Sequence, residues 1–222
     1  SGTISNSVVD DADVTTLSLS ASASVSEGGT ITYTASLTNP AETAMSVTLS
    51  NGAVINIIAG ASSGNVSVAA PSDDVYIDAG SVSATIASSS GGNFESLTTN
   101  PAAAATTITD TIDTTSVTLS SATAGSNVTE GGSIVYTATV DHLVTGTPLV
   151  VTLSNGQTIT IPVGALSADS APFNVRADDA YVDANDNLSV TITGTSGANY
   201  EAVSTSGTIS NSVVDDADVT TL

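Results

Sequence analysis

The chain has 222 residues, with 22 Asp or Glu against a single Lys or Arg, and a formal net charge of −21. That balance excludes nucleic-acid binding, which needs cationic side chains against phosphate, and attraction to anionic membranes. Cys is absent, which excludes disulfides and thiolate metal sites. Hydrophobic residues still make up 40% of the chain, enough for a folded core rather than a disordered acidic tail. No run approaches the roughly 18 to 20 apolar residues of a membrane helix, so membrane insertion is not expected.

Residues 1–12 are expected to be the end of a preceding repeat with its linker. The string SGTISNSVVDDADVTTL at 1–17 recurs unchanged at 206–222. The chain opens at Ser1 with no signal peptide in view, and it is expected to be a piece of a longer protein. Asp10-Asp11-Ala12-Asp13 corresponds to Asp110-Thr111-Ile112-Asp113 and to Asp215-Asp216-Ala217-Asp218. Between these marks VSEGGTITYTASL (25–37) pairs with VTEGGSIVYTATV (128–140), and SVTLSNG (46–52) with VVTLSNG (150–156). DDVYIDAG (73–80) pairs with DDAYVDAN (178–185), and GGNFES (91–96) with GANYEA (197–202). This gives two tandem modules, 13–112 and 113–217, with 218–222 beginning a further repeat.

Each module reads as all-β. Leu17, Leu19 and Ala21 alternate with polar residues, as do Ile31, Tyr33, Ala35 and Leu37, the period-2 pattern of a half-buried strand. Asn51-Gly52 and Asn155-Gly156 mark hairpins. Runs at 66–70, 82–87 and 106–109 bring the count to about seven strands. Ser and Thr supply 70 of the 222 residues and suit the outward strand faces. The expected fold is two immunoglobulin-like Greek-key β-sandwich modules joined by short acidic linkers. With no Cys or Trp, their cores must be aliphatic.

On that scheme the acids gather. Glu27 falls in the A–B turn, Asp73, Asp74 and Asp78 in the E–F corner, and Asp110 and Asp113 after strand G. All six are expected at one pole, at the junction of the modules. The second module repeats the set as Glu130, Asp178, Asp179, Asp183, Asp215, Asp216 and Asp218. With Asp10, Asp11 and Asp13 these account for 16 of the 22 acids. Clustered carboxylates repel, and either raised pKa values or a bound cation relieves them. Hard oxygen ligands on loops suit Ca²⁺ better than Mg²⁺. The bland alternative is a solvated acidic surface that keeps the protein soluble.

Tyr76 and Tyr181 sit two residues before Asp78 and Asp183, like the tyrosine corner whose hydroxyl bonds nearby backbone. Arg176, two residues before Asp178, is expected to be an ion-pair partner, and His142 a surface loop residue. One His, no Cys and no Lys remove most catalytic options, so neither an enzyme nor a small-molecule substrate is expected.

TEGG-x-I-x-YTA, VTLSNG-x-x-I-x-I, the DD-x-Y corner, GG-x-x-E and TDTIDTT-x-VTLS together resemble the extender repeats of giant RTX biofilm adhesins. Those LapA-like proteins are exported by type I secretion. The resemblance spans essentially the whole chain. It implies an extracellular, cell-surface spacer of many Ig-like modules, stiffened by Ca²⁺ at the junctions and projecting an adhesive region. The partners it implies are neighbouring repeats of the same chain. Glu27 with paired acids also looks like a Calx-β module. Asp183-Ala-Asn-Asp-Asn187 matches a cadherin string, although in cadherins that string is a linker; Asp186 within it can add an oxygen ligand. A ligand-binding or homotypic adhesion module of that type is the alternative.

Overall fold

A computed structural model describes residues 2–7, 9 and 11–218. Asp10 and residues 219–222 of the expected next repeat lie outside the described residues. Among the described residues there is no helix. The chain forms two compact units, one of Ser1–Asp73 with Asp78–Thr111, the other of Ile112–Leu222 with the four-residue segment Asp74–Ile77.

Unit 1 contains β1 (Val14–Ala21), β2 (Ser24–Ser26), β3 (Thr30–Leu37), β4 (Met45–Leu49), β5 (Val54–Ile57), β6 (Ser63–Ala69), β7 (Gly80–Ala84), β8 (Ile86–Gly91), β9 (Ser96–Thr99) and β10 (Ala104–Thr109). One sheet runs β6-β3-β1-β9. The facing layer joins β2-β10-β7 to β5-β4-β8, because β7 and β8 are one strand interrupted at Thr85. The first strand of the fold therefore splits: β1 pairs antiparallel with β3, then β2 crosses over to pair parallel with β10. The chain passes from β3 to β4 and β5 in the other layer, back to β6, and again to β7, which is the Greek-key path. Alternation does the packing, since Ile31, Tyr33, Ala35 and Leu37 of β3 are buried together with Met45, Val47, Leu49, Ile55 and Ile57. The additional strand β9 lies parallel to β1 and accounts for part of the excess over seven strands.

Unit 2 repeats the plan. It contains β11 (Thr114–Ser120), β12 (Asn127–Thr129), β13 (Ser133–Ile134), β14 (Thr137–Val140), β15 (Leu149–Leu153), β16 (Thr158–Ile161), β17 (Ser167–Asp169), β18 (Phe173–Asn174), β19 (Asp186–Gly197), β20 (Ala202–Ser206) and β21 (Thr208–Val214). The sheets run β17-β14-β11-β20 and β12-β21-β19-β15-β16, with β13-β18 continuing the first beyond a break. That break is at Tyr136, whose N–H donates to Ser170 Oγ at 3.1 Å. Val117, Ile134, Leu149, Val151, Ile159, Ile161 and Ile209 fill a largely aliphatic core together with the rings of Tyr136 and Tyr200.

Both Asn-Gly signals form hairpins, between β4 and β5 and between β15 and β16. Gly52 and Gly156 each take φ +84°. Asn51 and Asn155 do not have positive φ. The turns are therefore three-residue loops ending in a left-handed glycine, not two-residue type I′ turns. Asn51 Oδ1 accepts the Ala53 N–H at 3.1 Å and Asn155 Oδ1 the Gln157 N–H at 3.1 Å.

Candidate metal centres

In each unit three loops are wired together by backbone hydrogen bonds. In unit 1 the Glu27 N–H donates to Thr109 O at 3.1 Å, and the Gly28 N–H to Pro71 O at 2.7 Å. Glu27 leaves β2, Thr109 ends β10, and Pro71 opens the corner after β6. Gly28 takes φ +65°, and a Cβ there would lie 3.5 Å from Asp73 Cβ. Unit 2 uses the same bonds: Glu130 N–H to Val214 O at 3.0 Å and Gly131 N–H to Arg176 O at 2.8 Å. Gly131 takes φ +73°, with Asp178 Cβ only 3.0 Å from where its own Cβ would be. The Glu-Gly-Gly string thus serves the backbone: a side chain at the first glycine would meet strain and the neighbouring aspartate.

In unit 1, Glu27 is buried and Asp110 half-buried, with carboxylate oxygens within 4.8 Å of each other. Asp110 Oδ1 is buried without a hydrogen bond. Asp73 Oδ1 accepts a short hydrogen bond from Thr111 Oγ1, the residue after Asp110. Asp78 is exposed. Asp74 and Asp113 belong to unit 2. Asp74 Oδ1 accepts the Tyr76 N–H at 2.8 Å, and the Asp113 N–H donates to Glu201 Oε2 at 2.7 Å.

In unit 2, single oxygens of Glu130, Asp178 and Asp216 lie within 4.8 Å of one another. Glu130 is 5% exposed, and its Oε1 is buried with no hydrogen bond. The other oxygen, Oε2, accepts from Arg176 Nε at 2.8 Å. Arg176 also stands 3.7 Å from Asp183, 3.5 Å from Asp186 and 3.7 Å from Asp215, and donates to Ala184 O at 2.7 Å. Its bond to Glu130 holds the guanidinium above its usual pKa, against some desolvation, with Asp183 and Asp186 adding to the rise. Asp216 is pushed up from the ordinary carboxylate range by desolvation first, then by Asp178, Asp218, Glu130 and Asp215. Asp179 Oδ1 accepts the Tyr181 N–H at 2.8 Å, and Asp218 is exposed. Asp179, Asp215, Asp216 and Asp218 line an open cleft of about 300 Å³.

A buried glutamate with one oxygen lacking a donor, clustered with two further carboxylates, is a donor set that suits a hard cation. These acidic groups can hold a metal ion.

The tyrosine-corner expectation is corrected. The Tyr76 hydroxyl donates at 2.8 Å to the carbonyl of Leu143, 67 residues away, and Tyr181 is 77% exposed. At both corners an aspartate two residues earlier, Asp74 or Asp179, accepts the tyrosine N–H and fixes the backbone as an Asx turn. Two acids with a structural role carried no sequence signal beyond the repeated GG-x-x-E. Glu95 Oε2 accepts the Asp13 N–H at 2.8 Å just as Glu201 accepts that of Asp113, so each glutamate caps the start of its unit's first strand. His142 is a surface residue as expected, 2.9 Å from Asp141. Burial raises the Asp141 carboxyl, but the Ser116 N–H and His142 outweigh it and hold the carboxyl below its usual range.

The LapA domain model matches residues 13–111 and again 113–217. The chain belongs to the LapA domain family. No curated protein matches it. Among solved structures it is similar to the fibronectin(III)-like modules of Clostridium thermocellum CbhA, at 12% identity. That match covers 90% of this chain and 94% of the other, with a TM-score of 0.28. Both LapA modules are Ig-like β-sandwiches on their strand pairing alone, and the chain is an adhesin-type tandem repeat.

Proposed function

We propose that the two LapA modules are a non-enzymatic spacer of a bacterial surface adhesin. In this reading the parent protein is exported by type I secretion, works outside the cell, and projects an adhesive region for attachment and biofilm formation. Ca²⁺ at the acidic corners stiffens the array of repeats. Extracellular modules bind Ca²⁺ at roughly 10⁻⁴ to 10⁻³ M, so a modest site is filled outside the cell.

One observation carries this reading: Glu130, whose Oε1 is buried without a hydrogen bond, brings a carboxylate oxygen within 4.8 Å of oxygens of Asp178 and Asp216. Glu130, Asp178 and Asp216 would hold the ion in unit 2, and Glu27, Asp73 and Asp110 in unit 1. When bound, the ion supplies the positive charge that clustered carboxylates lack. The residues themselves gather the oxygens, through the Glu-Gly-Gly turn, and bury one of them away from competing water.

Calorimetric titration with Ca²⁺, paired with small-angle scattering in Ca²⁺ and in chelator, tests this. The expected result is binding with a longer, stiffer particle in Ca²⁺. Identical scattering in both conditions, or no heat of binding, would overturn it.

A further inference from the structure

In each unit the first strand runs parallel to the last one, in both layers. β1 pairs parallel with β9, from Val14 opposite Ser96 to Leu17 opposite Thr99. Both strands then cross to the other layer, where β2 pairs parallel with β10. Unit 2 repeats this with β11 on β20 and β12 on β21. Bonds outside the strands close each pairing. At its start Glu95 takes the Asp13 N–H and Glu201 that of Asp113. At its end the Glu27 N–H reaches Thr109 O and the Glu130 N–H reaches Val214 O.

Tension on the two ends of a unit draws its first strand towards that strand's start and its last strand towards that strand's end. Parallel neighbours then slide lengthwise, and the evenly spaced bonds of their ladder are loaded together. Strands pulled apart from a shared end lose their bonds one at a time. Resistance to pulling follows the unfolding rate and not the equilibrium stability.

The two units differ where the first strand crosses between layers. In unit 2 the crossing is residues 121–126. Asn211 of β21, 5% exposed, donates from Nδ2 to the carbonyl of Thr123 and, at 3.1 Å, to that of Ser126. The Gly125 N–H adds a bond to Ser210 O at 2.8 Å. In unit 1 the crossing is residues 22–23, with one backbone bond from the Thr107 N–H to Ala23 O at 3.0 Å. Thr106 stands at the place of Asn211, and its Oγ1 is buried without a hydrogen bond. The last strand is interrupted over residues 100–103 in unit 1, but only at Gly207 in unit 2.

We propose that the paired first and last strands are a shear clamp through which each unit carries tension, and that unit 1 yields before unit 2. Units joined in one chain bear the same tension, so the weaker clamp opens first and lengthens the chain while the other stays folded. The proposal deepens the spacer reading and rests on it for the load, because a projecting spacer is pulled through its ends. It concerns backbone ladders and no bound ion. In chelator it can fail while calcium stiffening stands, and calcium binding can fail while it stands.

The test is single-molecule pulling of the 222-residue chain in chelator, through tags at both termini. Two steps of roughly 30 nm should appear at different forces, one for each unit of about 100 residues at ~3.4 Å. Asn211→Thr should lower the higher force and leave the lower one in place. The chain has no Cys, so Thr43→Cys supplies a unique handle within unit 1. Thr43 is exposed in the loop between β3 and β4. That loop lies at the end where β1 starts, since the Thr38 N–H donates to Thr16 O at 3.1 Å. Pulling between the N-terminus and position 43 should peel β1 and open unit 1 at a several-fold lower force, with its urea midpoint unchanged. Equal force in the two pulling directions, two steps at one force, or an Asn211→Thr chain that keeps both forces would overturn the proposal.

Discussion

The acidic corners of the two units share a backbone and differ in how charge is balanced. Both hang on a glutamate after the second strand, a left-handed glycine, and a carbonyl that receives that glycine's N–H. In unit 1 that carbonyl belongs to Pro71; in unit 2 it belongs to Arg176, the only Lys or Arg of the chain. Where unit 2 has Asp186 beside the guanidinium, the first repeat has Ser81. Unit 2 thus carries an internal cation shared by four carboxylates. Unit 1 has none. Identical wiring does not imply identical demand for an external ion, because one basic residue at a hub replaces much of what a metal would supply.

The largest expected effect comes from removing that hub. Arg176→Met leaves the buried Glu130 uncompensated, and unit 2 should lose stability in chelator, read as a lower urea midpoint. Added Ca²⁺ should restore much of it. The converse change, Pro71→Arg, should make unit 1 less dependent on Ca²⁺ for its melting temperature. If the two units respond alike to Ca²⁺ in both variants, the contrast between the corners is wrong.

A smaller effect separates the two glycines. Gly28→Ala and Gly131→Ala both force alanine into left-handed backbone, at a cost of about 1 to 2 kcal/mol. Gly131→Ala should be the more damaging, since its Cβ would meet Asp178 Cβ at 3.0 Å against 3.5 Å for Gly28 and Asp73. Thermal unfolding of the paired variants ranks them. Equal losses would mean that strain alone, without the aspartate contact, sets the cost.

The smallest effect is a pH dependence in unit 2. Burial, with Tyr76 and Asp141 adding to it, pushes Tyr200 up to about 12. The folded state therefore keeps the phenol proton that the unfolded chain releases near pH 10. Stability from this group is complete below pH 10 and falls as pH rises from 10 towards 12. Ultraviolet titration of tyrosinate should show a late-titrating residue that Tyr76→Ala shifts downward. Phe94, at the matching place in unit 1, has no such proton.

Much of the fold was legible in the chain. The alternation in β3 named its buried residues, Asn-Gly named the hairpins, and the internal repeat named the plan of both units. The clustering of Glu130 with Asp178 and Asp216 followed from placing loops on a known scheme, as did that of Glu27 with Asp110. Arg176 was legible only as a neighbour of Asp178. Its hydrogen-bonded partner, Glu130, lies 46 residues away, and no local pattern announces such a pair. Glu95 and Glu201 were hidden for the same reason: their role is to receive an N–H more than 80 residues earlier in the chain.

Periodicity and turn chemistry are local, so the sequence by itself determined the strands, the two sandwiches and the acidic loops that share a pole. Which oxygen is buried without a donor, which acids the lone guanidinium serves, and which tyrosine is covered depend on distances between residues far apart in the chain. Those were decided only by the tertiary structure, where packing at a few ångströms turns a common acidic motif into two unlike corners and leaves one of two equivalent tyrosines in water.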